Sequence, residues 1–170
     1  MECDYVSQSS ERTMGRMRLA SFTFILICLL LPVACYSQTS SPAVEKRVAA
    51  LIEKMVKEKS EHRAFADLEA LGCSAVPAII VHMDDRRELP DKNISLRNKS
   101  RDAWENMRFY GVERVVDALD RILNQMTAES FGYIDVDKDE PAKDAERTKV
   151  VRGWVDWLAK TPPAKLCEHG

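Results

Sequence analysis

Residues 112–126, VERVVDALDRILNQM, carry the clearest structural pattern in this chain of 170 residues. Apolar residues recur in this stretch at steps of three and four, which places them along one side of a helix. The polar and charged residues between them fall on the opposite side, as expected of a helix that packs against a core. We therefore predict an amphipathic helix here.

Similar patterns predict helices on both sides of this stretch. Ser41-Pro42 provides a side-chain cap and a first-turn proline for a helix of about four turns. A second helix begins near Ser60 and ends at Gly72, and a third follows from Ser74 to about residue 83. The last helix extends from about residue 142 to 159 and ends before a pair of prolines.

The connections predict a fold that is mostly α, a small bundle of antiparallel helical hairpins. Only about three residues separate the second and third helices, which favours antiparallel packing of the two. The polar connection 84–98 includes an extended piece at 93–96, and residues 131–136 form a turn or a short strand. Residues 104–110 are predicted to form a short helix or a turn.

Residues 69–80, EALGCSAVPAII, resemble the turn between the two helices of a HEAT-type repeat. The resemblance covers residues 61–84, and a second unit at 99–124 is much weaker. It implies a helical scaffold that binds partner proteins along stacked helix pairs. It implies no catalytic residues, because HEAT-type repeats share none.

The N-terminal segment has the composition of a secretory signal peptide. Arg12, Arg16 and Arg18 precede residues 19–36, which carry no charge and have a strongly apolar centre at 22–31. The apolar part is shorter than the roughly 20 residues that a membrane-spanning helix needs. We therefore predict an exported protein of bacterial type, located in the periplasm or associated with the envelope; the alternative is an uncleaved membrane anchor.

The predicted domain organisation starts from this segment. Residues 1–37 are the signal peptide, of which 1–13 are either part of it or a wrongly assigned start. Residues 38–41 are a linker, 42–160 the helical domain and 161–170 a disordered tail. Cleavage before Gln38 is one possibility; lipidation of Cys35 after the lipobox-like Leu31-Pro32-Val33-Ala34 is another, and would anchor the protein to a membrane.

Composition limits the classes of partner. The formal net charge is −2, so no strong electrostatic field favours nucleic acid or anionic lipid. We expect contact with a membrane only through the signal segment or a lipid anchor. Cys73 and Cys167 remain after signal removal, and an exported compartment permits a disulfide between them. The simpler expectation is a small buried Cys73 and a free Cys167 in the tail.

The acidic run from Asp135 to Asp139 is a candidate Ca²⁺ site. Asp135, Asp137 and Asp139 supply oxygen ligands at alternate positions, and Glu146 occupies the twelfth position, where an EF-hand places its bidentate Glu. Glu140 stands where an EF-hand needs Gly for its sharp turn. The alternative is a solvated acidic loop before the last helix, so no cofactor is expected unless Ca²⁺ binds here.

Aromatic and arginine side chains are the candidates for binding a protein partner. Trp157, Trp104 and Tyr110 would contribute to an exposed aromatic patch, and Arg86 and Arg87 to a charged cluster. Core packing and surface ion pairs are the respective alternatives. No nucleophile or metal motif is present, and His62 and His82 lack metal-type spacing.

These observations favour an exported, non-enzymatic helical module that binds a protein not yet identified. The rival hypothesis is a Ca²⁺-dependent or hydrolytic envelope enzyme that uses the acidic loop at 135–146.

Overall fold

A computed structural model describes residues 40–57, 62–99, 104–135 and 137–167, all within the compact unit Ser37–Gly170. This part of the chain is mostly helical with one small antiparallel sheet, which confirms the predicted class. The helices are α1 (Pro42–Lys57), α2 (His62–Glu69), α3 (Val76–Val81), α4 (Val115–Thr127) and α5 (Glu140–Lys160). The strands are β1 (Asn93–Arg97) and β2 (Met107–Gly111), and 3-10 turns cover Cys73–Ala75 and Pro163–Lys165.

Helix α4 forms the centre of the core. Val115, Val116, Leu119, Ile122 and Leu123 have no exposed surface, so the helix predicted from its apolar spacing is confirmed. Helices α1, α2, α3 and α5 all pack against α4. A helix enclosed by four others contributes buried surface to every one of them, which explains why its pattern is the strongest in the sequence.

Helix α1 begins as the sequence predicts. The Ser41 hydroxyl accepts a hydrogen bond from the Val44 backbone N–H at 3.3 Å, and the Ser41 carbonyl accepts from Glu45. Pro42 lies in the first turn, where its missing N–H costs no hydrogen bond. The helix buries Val48, Leu51, Ile52 and Met55.

Helices α2 and α3 do not form the expected antiparallel pair. The directions of Arg63–Glu69 and Cys73–Val81 differ by 95°, so the two segments cross nearly at a right angle. Both pack on α1, and Gly72 between them has a φ of 68°, in the left-handed region that favours glycine. A short connection limits the distance between two helices, whereas their shared contact with α1 sets the angle.

Strands β1 and β2 form a hairpin in the register Asn93–Gly111, Ser95–Phe109 and Arg97–Met107. The extended piece predicted at 93–96 is therefore confirmed, and the short helix or turn predicted for 104–110 is wrong. Phe109 and Tyr110 are residue types that favour a strand when a partner strand is available. The partner here is β1, and the pairing is visible only in the structure. The described residues 131–135 contain no strand.

Helix α5 presents an inner face that the sequence did not predict. Asp139 caps it, since its Oδ1 accepts from the Ala142 N–H at 3.1 Å. The apolar residues Ala145 and Val155 of this helix are exposed. The buried residues are Lys143, Arg147, Val150 and Trp154, spaced as one helical face but including two cations.

The described C-terminal residues 161–167 include the 3-10 turn Pro163–Lys165 and contact the domain, in place of the disordered tail predicted for this part of the chain. Leu166 is buried in the core, and Cys167 forms a disulfide with Cys73 across 94 residues of sequence. The expectation of a buried, unpaired Cys73 and a free Cys167 is therefore wrong. A cross-link that closes so long a loop typically stabilises a protein by about 2–4 kcal/mol.

Among the described helices, none is long and apolar enough to cross a membrane by itself. Arg63–Glu69 and Cys73–Val81 meet the length and composition requirement only as a bent pair.

Candidate functional site: the surface of the hairpin

The two strands of the hairpin have very different surroundings. Ile94 and Leu96 of β1 are buried in the core, and β1 packs against α2. Among the helices and strands described, β2 makes its substantial contacts with β1 alone. The hairpin is thus held to the domain through β1, and β2 extends outward from it.

Large apolar side chains in β2 and in the segment just before it are exposed to solvent. Trp104 is 97% exposed, Phe109 77% and Met107 36%. Met107 and Phe109 lie on the same face of β2, because side chains two residues apart on a strand point the same way. We call Trp104, Met107 and Phe109 the hairpin surface. Aromatic residues and Met are enriched where proteins bind one another.

The other face of β2 carries a second aromatic feature. Arg121 of α4 places its guanidinium 4.9 Å from the centroid of the Tyr133 ring and 5.8 Å from that of Tyr110. A cation within about 6 Å of an aromatic ring is attracted to its face. Tyr133 remains 66% exposed. These contacts position Tyr110, a predicted partner-binding residue, against α4 instead of leaving it free in solvent.

Of the other predicted partner-binding residues, Trp104 is exposed but Trp157 is not part of the same surface. The Trp157 ring packs edge-on against Trp154 with ring centroids 5.6 Å apart, and 6.4 Å from the centroid of Phe131. Trp154 is fully buried. The two tryptophans of α5 therefore belong to the core cluster and its margin, so they do not extend the hairpin surface.

The predicted arginine pair is engaged in ion pairs on another side of the protein. Arg87 contacts Asp85 at 2.6 Å and Glu53 of α1 at 2.7 Å. These hydrogen bonds lower the pKa values of both carboxyl groups and raise that of the guanidinium. Arg86 lies 4.0 Å from Asp144. Arg87 is thus hydrogen-bonded within the protein and connects α1 to the loop after α3, whereas Arg86 faces Asp144 of α5 with its Nη1 buried and without a hydrogen-bond partner.

The carboxylates of the acidic loop at 135–146 form hydrogen bonds and an ion pair within the protein. Glu146 accepts from the Asp135 N–H at 3.0 Å and pairs with Lys138, whose hydrogen bond lowers the pKa of Glu146. Asp135 accepts from the Asp137 N–H, and Asp139 caps α5. In the described part of the chain, no three His, Cys, Asp or Glu side chains converge as metal ligands would. The four predicted ligands are not brought together.

A buried ion cluster between α4 and α5 went unnoticed in the sequence. Arg147 has no exposed surface, and its Nε and Nη2 donate to the two oxygens of Asp117 at 2.8 and 3.0 Å. Asp117 also accepts from the backbone N–H groups of Glu113 and Arg114. Burial opposes the charge of Arg147, but these hydrogen bonds outweigh it and raise its pKa. The surrounding members are Glu113, Arg114, Glu140, Lys143 and Asp144.

This α4–α5 ion cluster has the character of a structural element. Its cations and carboxylates pair with one another, so the charges are compensated where they are buried, as stability requires. Residues 113–117 and 140–147 are about 30 positions apart, and no local pattern connects them. Only the packing of α5 on α4 could show that Arg147 faces Asp117.

Asp120 is the other buried carboxyl of α4. Its Oδ1 accepts from the Trp154 indole N–H at 2.9 Å, while its Oδ2 is buried without a hydrogen-bond partner, 3.7 Å from Arg121. Burial raises the pKa of this carboxyl. An acid–base role would require a cleft beside it, whereas Asp120 is fully enclosed.

Sequence reasoning identified Trp104 as a candidate, but it assigned Met107 no role. The apolar, charged, apolar order of Met107, Arg108 and Phe109 was the signal that could have found it. Cys35 and the predicted signal peptide at 1–37 lie outside the described residues. The side chain of His62 lies outside them too, and His82 is partly buried in the turn after α3.

Protein-family models, curated proteins and solved structures were all compared with this chain, and none of them matches it.

Proposed function

We propose that this protein is an exported, non-enzymatic helical module that binds another protein through its hairpin surface, Trp104, Met107 and Phe109. One observation carries the proposal: two large aromatic side chains five residues apart in sequence, Trp104 and Phe109, are 97% and 77% exposed. Burial of such a side chain in a partner would contribute roughly 1.5–3 kcal/mol.

The manner in which the hairpin is held supports a binding role. Ile94 and Leu96 fix β1 in the core, so the exposed residues of β2 sit on a supported strand and lose little freedom on binding. An aromatic side chain on a rigid element is the usual form of an energetic hot spot. The hairpin surface therefore has both the residue types and the support that a docking site requires.

Two features of the sequence support the proposed location of the protein and the proposed class of helical scaffold. The signal-like segment at 1–37 favours export to the periplasm or envelope, with Cys35 as the residue that a lipid would modify. The likeness of residues 61–84 to a HEAT-type unit favours a scaffold of helical hairpins that binds proteins. The 95° angle between the two helices of that unit departs from regular repeat geometry. We therefore propose a helical scaffold that binds proteins, and not a regular solenoid of repeats.

The test is capture of the partner by the full chain, tagged after Gly170 and expressed in a bacterial host with its N-terminal segment. Proteins from the envelope fraction that bind it are identified by mass spectrometry. We expect a specific partner that is retained by the unaltered chain and lost with Trp104→Ser/Phe109→Ser.

The matched control is Val81→Ser/Val155→Ser, which removes exposed apolar side chains from α3 and α5. It should retain the partner, since neither residue lies on the hairpin. Loss of the partner in both double variants would attribute capture to nonspecific hydrophobic contact. Retention in both would place the binding site elsewhere. Either result contradicts the proposed surface.

A further inference from the structure

The outer edge of β2 offers a row of backbone groups without partners. Asn98 donates its N–H to Asn106 O at 2.8 Å, and Val112 donates to Lys92 O at 2.9 Å. Because hydrogen-bonded pairs alternate along antiparallel strands, Arg108 and Tyr110 also direct their backbone groups toward β1. The N–H and C=O groups of Met107, Phe109 and Gly111 therefore point away from β1, toward the open edge.

On the opposite edge of the sheet, outward backbone groups at both ends of β1 already form hydrogen bonds. The outward carbonyl of Arg97 accepts a hydrogen bond from the Gln125 side chain of α4, and the outward N–H of Asn93 donates to Asp91 at 3.0 Å. In the described part of the chain, no equivalent bond reaches Met107, Phe109 or Gly111. The three outward residues of β2 are therefore available to another strand, whereas β1 has bonds at both of its ends and packs against α2.

Edge strands usually carry features that prevent pairing, such as Lys, Pro or a bulge. Strand β2 has none of these at its outward positions. Its one charged residue is Arg108, whose backbone N–H and C=O point toward β1 and not toward the open edge. Its pairing with β1 is regular over all five residues. The edge is thus a usable template for strand addition.

We infer that the occupant of this edge is the β2 strand of a second copy of this chain, paired antiparallel about a two-fold axis at Phe109. The inference rests on the proposed function, since it names the partner of the same surface. Phe109 is the middle residue of β2 and has its backbone groups outward. A two-fold axis there matches each outward residue with an outward residue, Phe109 with Phe109 and Met107 with Gly111.

The side chains are complementary in that register as well. Each Phe109 ring would lie beside its counterpart, and aromatic cross-strand pairs stabilise sheets. Met107 would face Gly111, which has no side chain to obstruct it. The single cation, Arg108, would lie opposite Tyr110 and not opposite the other Arg108, so charge and ring attract each other. The resulting sheet would have four strands, in the order β1-β2-β2-β1.

The dimer is expected to be weak, because five residues of edge bury less surface than the roughly 800 Å² per partner of a standard interface. Sedimentation velocity of the purified, oxidised full chain over a wide concentration range should show reversible dimerisation. Phe109→Ala should raise the dissociation constant several-fold by removing the aromatic pair. Phe109→Pro should weaken it further, because it also removes an outward N–H.

Proline at position 109 removes no bond to β1, so the fold should persist, as far-ultraviolet circular dichroism would verify. A second variant tests the pairing without introducing a proline into the strand. Phe109→Cys would place two thiols on residues whose Cα atoms are about 5.5 Å apart in such a pair, within disulfide range. Mild oxidation should yield a dimer cross-linked at position 109, mapped by mass spectrometry.

Ser95→Cys is the matched control. Ser95 lies beside Phe109 on the same face but on β1, three strand spacings from its counterpart, so it should give no such cross-link. A chain that stays monomeric, or a dimer that Phe109→Pro leaves unchanged, would overturn the inference. Loss of partner capture by Trp104→Ser/Phe109→Ser in a monomeric protein would show that the proposed function holds and that only the identity of the partner is wrong.

Discussion

The α4–α5 interface and the β hairpin contain the same kinds of side chain in opposite situations. Arg147 and Trp154 of α5 have no exposed surface, and each donates to a carboxylate of α4. Trp104 of the hairpin is almost fully exposed, and Arg108 of β2 is exposed without an ion pair in the described part of the chain. Residue type alone therefore does not distinguish a structural element from a docking surface.

The contrast indicates where function can reside. A side chain whose polar and apolar contacts are all within the domain contributes to folding and is not available to contact another protein. The exposed side chains Trp104, Met107 and Phe109 contribute little to folding, so their exposure calls for an explanation outside the chain. Substitutions should separate the two regions by their effect on the free energy of unfolding.

The largest effect is expected from Arg147→Ala. The variant leaves Asp117, which is 2% exposed, without its main counter-charge. Removal of one partner from a buried ion pair typically costs about 3–5 kcal/mol. Chemical denaturation followed by circular dichroism would measure it. Arg152→Ala is the control, since Arg152 is an exposed arginine on the same helix and should change stability little.

Gly153→Ala should have the next largest effect. A Cβ at this position would lie 2.3 Å from the Cβ of Phe131, which packs on α5 at this point. Overpacking of this kind costs about 1–3 kcal/mol, and thermal denaturation would detect it. The double variant Phe131→Gly/Gly153→Ala is the control, because only glycine at position 131 lacks the Cβ that makes the contact. If the contact is the cause, the substitution at Gly153 should cost much less once the side chain of Phe131 has been removed.

The sequence predicted those parts of the fold that depend on local pattern. Apolar spacing identified α4, and the Ser41-Pro42 pair marked the start of α1, because both signals lie within one element. The buried cations of α5 escaped notice because Lys143 and Arg147 resemble solvated residues until α4 supplies Glu113 and Asp117. The disulfide was left open for the same reason, since 94 residues separate its cysteines.

The candidate site was predictable in part. Trp104 was selected for its residue type, and its side chain is exposed. Trp157 was selected on the same ground, and it packs beside Trp154. The strand β2 was missed because its pattern of exposure depends on pairing with β1, across a connection that no periodicity crosses. Residue type finds candidates, whereas long-range packing decides which of them are available.

Asp120→Asn tests the α4–α5 region through pH. Burial raises the pKa of Asp120 in the folded protein above the ordinary value of 3.8. The unfolded chain therefore loses its proton first, and stability falls as pH rises from about the ordinary value through the raised one. The amide cannot ionise but can still accept from Trp154. The variant should therefore gain stability relative to the unaltered protein as pH increases over that range.

The measurement for Asp120 is the difference in melting temperature between variant and unaltered protein at a series of pH values. Asp156→Asn is the control, because Asp156 is an exposed carboxyl on α5. A difference that does not change with pH would mean that Asp120 titrates as in the unfolded chain. The enclosed carboxyl would then have water or counter-charge within reach, and the region would be less tightly packed than its contacts indicate.

The smallest effects on stability should come from the hairpin. Trp104→Ala and Phe109→Ala remove side chains that make few contacts within the domain, so each should change the free energy of unfolding by less than about 0.5 kcal/mol. Chemical denaturation at a concentration low enough to keep the chain monomeric would measure this. A loss above about 1 kcal/mol would mean that these rings pack within the monomer. A negligible loss, together with impaired binding, would show that the hairpin keeps these aromatic side chains available for contacts outside the domain.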